Sequence, residues 1–434
     1  MGASHKFARK LPKFSVAVIE PNEKHYYQPG FTMVGGGWMT VEQNTRQEKD
    51  LIHPKSVWIK DQVVKFEPKK NLVKLKFFWS SELKDRKNAP EILSSADLFL
   101  KNGDEITYDY MVLATGVQLR WDMIKGLPEA LETPGVTSNY SPLHCTKTYK
   151  ELTSVTSGNC IFTFPNTPIK CAGAPQKVCY YGEDIVRSRG YRDKTHFIYA
   201  TSLPRLFGIE AYLHSLNEIA KSKDIDVRTR HSLVEVDTKD KIAKFELLDE
   251  NCVPNGKISE IPYSLLHIGP PCSTPPAVRE CRELTDEKGW VDVDPQTLRS
   301  KNFANVFAAG DCMNTGNAKT AAAVSSHLKT LDKNLTAVLE GKEPPAQYDG
   351  YASCPIVVSR SRAILAEFRP DGQRMETTPF NQSVASFDDF AIADSPRMDE
   401  MSPLPYSETR DIISRSWSDE VKKQVFLPKT AMWV

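Results

Sequence analysis

The sequence is short of glycine, with 22 in 434 residues, or about 5% against a usual share of about 7%. It also lacks a basic excess, because 56 lysines and arginines face 55 aspartates and glutamates, for a net charge of +1. Nucleic-acid binders usually carry such an excess, so that class of function is disfavoured. With 40% hydrophobic and 26% charged residues, wholesale disorder is excluded. The length indicates about three domains.

Membrane spans, secretory signals and cysteine pairs are also missing. No stretch reaches the ~18 consecutive apolar residues of a spanning helix, and residues 1–14 lack the apolar core of a secretory signal. That segment is basic, which is compatible with a transit peptide, but we favour a helix that leads into the next strand. Nine scattered cysteines without a CxxC pair disfavour a zinc site, so we expect no metal. An odd cysteine count is typical of a reducing compartment.

Short apolar runs alternate with helix-like segments along the chain. Strands are predicted at 16–20, 56–60, 72–78, 108–116, 160–164, 196–201, 226–236, 242–248 and 265–271. Helices are predicted at 141–160, from about 176, at 208–222 and at 320–324. Two interleaved units of this kind predict an α/β fold with one doubly wound domain inserted in another. Residues 383–434 show no clear periodicity, so we expect a poorly ordered tail there.

The first predicted strand ends in an acid, Glu20. In dinucleotide-binding folds such an acid accepts hydrogen bonds from a ribose, about 20 residues after a GxGxxG loop. Counting back from Glu20 reaches only Gly2, so the glycine fingerprint is absent from the chain. The run 35–37 does not supply it, because position 40 is Thr40, and we interpret this run as a turn. Without the fingerprint, and taken alone, Glu20 is better interpreted as a surface acid at the end of a strand.

Two later strand ends carry small residues and an acid. Thr115 and Gly116 follow the run 108–114, and small residues there let a ligand approach the backbone. Gly310 and Asp311 follow the apolar run 305–309, and in two-domain flavoproteins an aspartate at this place binds the ribityl chain of FAD. Lys319 precedes a small-residue helix whose N-terminus would favour negative charge on a flavin. The alternative is an ordinary strand-turn with an N-capping aspartate.

The loop 165–175 follows the strand that opens the second unit. It is rich in proline, which donates no backbone hydrogen bond, so it is a poor cradle for a pyrophosphate. This disfavours an NAD(P)H site. Cys171 lies where the loop meets a helix, beside Lys170, and both neighbours would lower the pKa of its thiol. The alternative is an inert cysteine.

Four segments together resemble the mitochondrial type of sulfide:quinone oxidoreductase. They are IEPNEKHYYQPGFTMVGGG, FTFPNTPIKCAGAPQK, NVFAAGDCMNTGNAKTAAAV and YDGYASCPIVV, and the similarity runs from about 15 to 382. The resemblance implies two Rossmann-like domains of the FAD/NAD(P)-linked disulfide reductase type, a fold shared with type II NADH dehydrogenases, plus an irregular C-terminal segment. The implied division is an FAD domain at 1–118 and 271–340, a second Rossmann-like domain at 119–270, an active-site segment at 341–382 and a divergent tail at 383–434.

The resemblance also implies residue roles. The FAD-binding residues would be Glu20, Gln28, Val63, Thr115, Gly116, Gly310, Asp311 and Lys319. The redox-active pair would be Cys171 and Cys354. The quinone side would include Tyr348, Tyr351 and Phe368.

The implied activity follows from this pair. Hydrosulfide attacks the Cys171–Cys354 bridge and leaves a persulfide on Cys354, while the Cys171 thiolate passes two electrons to FAD. Glutathione or sulfite accepts the sulfur, and reduced FAD passes its electrons to ubiquinone at the mitochondrial inner membrane. An NADH:quinone oxidoreductase and a non-catalytic form with weak or no FAD binding are the alternatives.

Two departures from the family pattern bear on these expectations. Family members have a strand and a glycine fingerprint before the first helix, and their loss is expected to weaken FAD binding. A mitochondrial targeting segment would be lost with them. The family also ends in amphipathic helices that dock on the membrane, and residues 383–434 do not match them.

Overall fold

The computed structural model of the chain describes residues 1–76, 100–101, 105–378 and 381–386. The tail predicted over 383–434 therefore lies outside the described residues from 387 onward, as do the last two residues of the strand predicted over 72–78. Within these ranges the α-helices are α1 (Gly2–Lys10), α2 (Phe31–Gly35), α3 (Glu48–Leu51), α4 (Leu127–Ala130), α5 (Cys145–Ser154), α6 (Ala174–Ser188), α7 (Leu213–Ser222), α8 (Pro276–Arg279) and α9 (Ala321–Leu339).

The strands lie in several sheets. They are β1 (Val16–Ile19), β2 (Lys24–Tyr26), β3 (Thr45–Gln47), β4 (Ser56–Ile59), β5 (Val63–Glu67), β6 (Leu72–Leu75), β7 (Leu100–Lys101), β8 (Glu105–Thr107), β9 (Met111–Leu113), β10 (Gln118–Leu119), β11 (Val136–Thr137), β12 (Gly158–Phe164), β13 (Thr195–Thr201), β14 (Ile225–Arg228), β15 (His231–Asp237), β16 (Ile242–Leu248), β17 (Pro254–Pro262), β18 (Leu265–His267), β19 (Cys272–Ser273), β20 (Val306–Ala308), β21 (Ala352–Val357) and β22 (Ala363–Phe368).

A five-stranded parallel sheet with the order β11-β18-β12-β13-β14 forms the second α/β unit. Its central strands are almost continuously buried, as expected for parallel strands covered on both faces. Helix α6 packs against β12 and β13. Phe162 and Phe197 stack across these two strands with ring centroids 5.7 Å apart. This core fixes the start of α6, and with it the loop that carries Cys171.

The first α/β unit contains two parallel strand pairs, β1 with β4 and β9 with β20. Both pairs contribute to one hydrophobic core, which includes Val57, Leu113 and Val306. Because the carboxyl ends of parallel strands are where α/β folds bind ligands, the residues that follow β1, β9 and β20 are the candidate cofactor contacts.

Antiparallel strands complete the fold. They form a four-stranded sheet with the order β5-β6-β8-β7, a three-stranded sheet of β15, β16 and β17, and a hairpin of β21 and β22. The hairpin pairs in continuous register from Ala352 with Phe368 to Val357 with Ala363. Its first strand, which carries Cys354, packs against α6 and α9. The hairpin thereby brings the C-terminal part of the chain to the second α/β unit.

Most predicted elements form, but several boundaries were wrong. The helix predicted over 141–160 is limited to α5, because Val155 adopts an extended conformation after Ser154 and Gly158 begins β12. The strand predicted over 226–236 is two strands, separated where Arg230 has a φ of +57°. The strand predicted over 108–116 pairs only over β9. The preferred reading of the N-terminal segment is confirmed, since α1 leads into β1.

The helix predicted at 320–324 is much longer than its small residues indicated. Helix α9 continues to Leu339 because Val324, Leu328, Leu331 and Leu335 form a buried apolar stripe at helical spacing. Strands β17, β21 and β22 were missed. The residues 352–357 and 363–368 show neither the alternation of a half-buried strand nor a continuous apolar run, because Pro355 interrupts the first and Glu367 the second.

Candidate active site

The thiols of Cys171 and Cys354 lie in contact, although the two residues belong to distant parts of the sequence. Both cysteines are free thiols, and Cys354 donates a hydrogen bond to the sulfur of Cys171. Cys171 has a left-handed φ of +79° in the loop before α6, and its carbonyl accepts the N–H of Ala174 at 2.7 Å. Cys354 is buried in β21. The fold thus provides the juxtaposition that spacing alone could not.

Gly173 makes room for this contact. A Cβ on Gly173 would lie 2.7 Å from the sulfur of Cys354, closer than Cβ atoms approach other heavy atoms. The backbone N–H of Gly173 also donates to that sulfur. A side chain at this position would therefore separate the two cysteines.

Lys177 supplies positive charge to the pair. Its Nζ lies 3.9 Å from the sulfur of Cys171, and the side chain is almost fully buried. The hydrogen bond from Cys354 and the charges of Lys177 and Lys170 hold the pKa of Cys171 well below its ordinary value, against the opposing effect of burial. The hydrogen bond it donates and burial raise the pKa of Cys354. Cys171 is therefore the thiolate of the pair.

Lys170 ties the cysteine loop to the first α/β unit. Its ammonium donates to the side-chain oxygen of Gln28 and, at 3.1 Å, to the carbonyl of Tyr140. The hydroxyl of Tyr140 in turn donates to the carbonyl of Cys171 at 3.2 Å. Gln28, expected among the cofactor contacts, thus lies beside the cysteine loop.

The loops after β9 and β20 contain buried oxygens without a partner among the described residues. They are the hydroxyl oxygen of Thr115 and Oδ2 of Asp311. Asp311 is 2% exposed, and burial raises the pKa of its carboxyl group to about 7. Gly116 and Gly310 both have left-handed φ values, +61° and +83°, which glycine adopts without strain. Two unsatisfied acceptors at adjacent strand ends fit a ligand that donates hydroxyl hydrogens.

The Asp311 loop adjoins the cysteine loop. Lys170 and Lys319 form a parallel β-bridge, so the backbones of the two loops lie side by side. The ammonium of Lys319 donates to the carbonyls of Asp311 at 2.6 Å and Met313 at 3.1 Å. It also lies 3.9 Å from the ring centroid of Trp290. Lys319 therefore places a half-buried positive charge against the loop that the resemblance assigned to the flavin.

Glu20 is buried, with 3% of its surface exposed, so its interpretation as a surface acid is wrong. Its Oε1 accepts hydrogen bonds from the backbone and the side-chain amide of Asn22, both at 2.6 Å. Burial raises the pKa of its carboxyl group. Val63, also expected near the cofactor, begins β5, which pairs with β6.

The three aromatic residues expected on the quinone side lie in the C-terminal segment. Tyr348 is buried and donates to the carbonyl of Tyr351 at 2.6 Å. Tyr351 donates to the carboxylate of Glu367. Phe368 is buried against Phe207, with their rings at right angles. Their role with a quinone stays a prediction.

Comparison with known proteins supports the resemblance found in the sequence. No protein-family model matches the chain. The chain is 39% identical over 378 residues to the mitochondrial sulfide:quinone oxidoreductase of Mus musculus, and the match covers 87% of this chain and 77% of that protein. The chain belongs to the sulfide:quinone oxidoreductase family.

Solved structures show the same fold. The sulfide:quinone oxidoreductase of Aquifex aeolicus matches with a TM-score of 0.72 at 16% identity, over 96% of this chain and 93% of that chain. A chain in the mitochondrial ATP synthase of Tetrahymena thermophila matches with a TM-score of 0.74 at 19% identity, over 92% and 91%. The predicted α/β fold of the disulfide reductase type is confirmed.

FAD is the cofactor of this family. The unpartnered oxygens of Thr115 and Asp311 fit a cofactor rich in hydroxyl groups, and Glu20 lies at the carboxyl end of β1, where a ribose would be bound. None of the helices among the described residues is long and apolar enough to cross a membrane.

Sequence reasoning missed Lys177, Tyr140 and Gly173. The sequence could have indicated Lys177, because a residue in the first turns of a helix that begins after Cys171 lies close to that thiol. Tyr140 had none, since only the tertiary fold brings its hydroxyl to the cysteine loop.

Proposed function

We propose that this chain oxidises hydrogen sulfide at Cys171 and Cys354 and passes the two electrons through FAD to ubiquinone. The observation that carries the proposal is the contact of the two thiols beside the buried ammonium of Lys177. Family membership supports it, since the mouse relative is named for sulfide and quinone.

The sulfur chemistry starts from the oxidised pair. Hydrosulfide attacks the sulfur of Cys354 in the Cys171–Cys354 bond, so a new sulfur–sulfur bond forms on Cys354 and Cys171 leaves as a thiolate. Lys177 and Lys170 favour this direction because they stabilise negative charge on the Cys171 sulfur. The persulfide then resides on Cys354.

A sulfur acceptor completes the exchange. The thiolate of glutathione, or sulfite, takes the outer sulfur of the persulfide and releases Cys354 as a thiol. Reoxidation of the two thiols releases two electrons, and bound FAD supplies the two-electron relay to the quinone. With glutathione the sum is hydrogen sulfide, glutathione and quinone giving glutathione persulfide and quinol.

Residues of this chain would hold the FAD cofactor in place. Thr115 and Asp311 offer acceptors to cofactor hydroxyls, Glu20 offers one to the adenosine ribose, and Lys319 keeps positive charge beside the Asp311 loop. We also propose that Gln28, the backbone near Val63, Gly116 and Gly310 border the cofactor.

The quinone side and the location complete the proposal. We assign Tyr348, Tyr351 and Phe368 to the quinone side, and we place the protein at the mitochondrial inner membrane as a peripheral protein. The mitochondrial names of the relatives support the location.

The test is sulfide-dependent reduction of a soluble ubiquinone analogue by the chain reconstituted with FAD. We expect Cys171→Ser and Cys354→Ser each to abolish it. Cys252→Ser is the matched control, because Cys252 lies between β16 and β17 and the variant keeps the backbone carbonyl that accepts from Asn166 of the cysteine loop at 3.0 Å, so it should retain full activity.

Other results would favour a different function. Reduction of the quinone with NADH and not with sulfide would favour an NADH:quinone oxidoreductase. Reduction with neither would favour a non-catalytic protein. Full activity of Cys171→Ser or Cys354→Ser would overturn the pairing.

A further inference from the structure

Helix α6, which follows Cys171, and the β21–β22 hairpin, which carries Cys354, are joined at a second place away from the sulfurs. Asp184, near the end of α6, accepts the backbone N–H of Arg360 at 3.0 Å. Arg360 lies in the turn between β21 and β22. Asp184 is about 15 Å along the helix from Ala174, at 1.5 Å per residue. Helix α6 and the hairpin are thus connected at the sulfurs and again at the hairpin turn.

A partly buried ionic cluster fixes the carboxylate of Asp184. Lys223 donates to Asp184 and, at 3.0 Å, to Glu183. Glu183 is fully buried and also accepts from Arg192 at 3.0 Å and Arg187 at 2.7 Å. Breaking a buried charged network is costly, so the orientation of Asp184 is set by groups outside the hairpin.

The side chain of Arg360 reinforces the same turn. Its guanidinium lies 5.1 Å from the ring of Trp38, and Trp38 packs edge-on against Tyr181 of α6 at 5.2 Å. The turn is therefore held by a main-chain hydrogen bond on one side and by a stacked cation on the other.

This second connection matters when the sulfur–sulfur bond opens. The proposed reaction breaks the Cys171–Cys354 bond in every cycle, and the bond can re-form only if the hairpin keeps Cys354 next to Cys171. Holding two reacting groups in place raises their effective concentration. We propose that Asp184 is a positioning residue that keeps the Cys354 hairpin docked on α6 while the bond is open. The inference rests on the redox pairing in the proposed function.

The test measures the equilibrium in which glutathione disulfide oxidises the thiols of Cys171 and Cys354. The products are the Cys171–Cys354 disulfide and two molecules of glutathione. The full chain is equilibrated in glutathione buffers of known ratio, and the disulfide is quantified by peptide mass mapping. We expect Asp184→Ala to lower the equilibrium constant about fivefold, the scale of one lost hydrogen bond to a charged group. This corresponds to about 20 mV for a two-electron couple.

Two further variants separate positioning from a general structural effect. Asp184→Asn keeps an oxygen that can accept the Arg360 N–H but loses the ion pair with Lys223, so its equilibrium constant should fall less than that of Asp184→Ala. Asp226→Ala removes a carboxylate of the same unit that pairs with Arg228 and His196, and it should leave the equilibrium unchanged. An unchanged constant in Asp184→Ala, or an equal fall in all three variants, would overturn the proposal.

Hydrogen exchange of the parent chain gives a test that needs no variant. We expect the backbone amides of the turn 358–362 to keep the same protection in the dithiol and disulfide forms. Loss of that protection on reduction would contradict the positioning role. Failure of the parent chain to form the Cys171–Cys354 disulfide at all would instead overturn the proposed function.

Discussion

At the scale of single residues, the site depends on where charge is buried. Lys177 carries a buried ammonium group and Lys170 a half-buried one near the Cys171 sulfur, and Asp311 carries a buried carboxyl group without a partner on Oδ2. Burial without full pairing is energetically unfavourable, so such groups are typical of functional sites. Lys177 and Asp311 each give a testable prediction.

Lys177→Met is expected to raise the pKa of Cys171, because it removes a positive charge that stabilises the thiolate. In the FAD-free dithiol chain, the midpoint of the pH dependence of Cys171 alkylation by iodoacetamide should rise from about 5 by at least about one pH unit, the effect of removing one nearby charge. Peptide mapping measures the rate. Lys221→Met, which changes an exposed lysine on α7, is the control and should react like the parent. Alkylation of Cys171 in Lys177→Met that matches the parent would exclude the assigned role of Lys177.

Asp311→Asn is expected to remove a pH dependence of stability in the FAD-free chain. The folded-state pKa is raised from 3.8 to about 7, so the group's stabilising contribution is present below pH 4 and lost as the pH rises through 7. In urea unfolding, the stability of Asp311→Asn relative to the parent should therefore be higher at pH 8 than at pH 4. Asp292→Asn, whose carboxylate is paired with Lys301, is the comparison variant. If the difference in stability between the parent chain and Asp311→Asn is the same at pH 8 as at pH 4, the assigned pKa is refuted.

At the scale of elements, the contact between the loop before α6 and strand β21 decides the geometry. Gly173→Ala would bring a Cβ to 2.7 Å from the Cys354 sulfur, so the hairpin or the loop must move. We expect sulfide-dependent quinone reduction to fall by at least about tenfold, since small displacements of reacting groups cost large factors in rate. Gly208→Ala is the control, because a Cβ there meets no atom within 4 Å. Equal activity of the two variants would show that the close contact is unimportant.

The elements also show what the sequence could and could not predict. Strands β12 and β13 were predictable because continuous apolar runs mark buried parallel strands. The ends of α5 and β14 were not, because they depend on the extended conformation of Val155 and the left-handed conformation of Arg230. The β21–β22 hairpin escaped detection because Pro355 and Glu367 interrupt its strands, so neither is a continuous apolar run.

At the scale of the whole molecule, one fold brings together residues that are far apart in the sequence. The resemblance named Cys171 and Cys354, and the fold places their sulfurs in contact. Lys170 reaches Gln28 in the first α/β unit, and the bridge between Lys170 and Lys319 sets the cysteine loop beside the Asp311 loop. Motifs identified the participants, whereas the contacts of Lys177, Tyr140 and Gly173 required the tertiary structure. The domain boundaries stay a prediction.

The most direct test of the central claim is an anaerobic titration of the FAD-reconstituted chain with sulfide, followed by visible absorption. We predict that sulfide bleaches the flavin in the parent chain and leaves it oxidised in Cys171→Ser and Cys354→Ser, while NADH leaves the parent oxidised. A flavin that stays oxidised with sulfide, or that is bleached by NADH instead, would contradict the account.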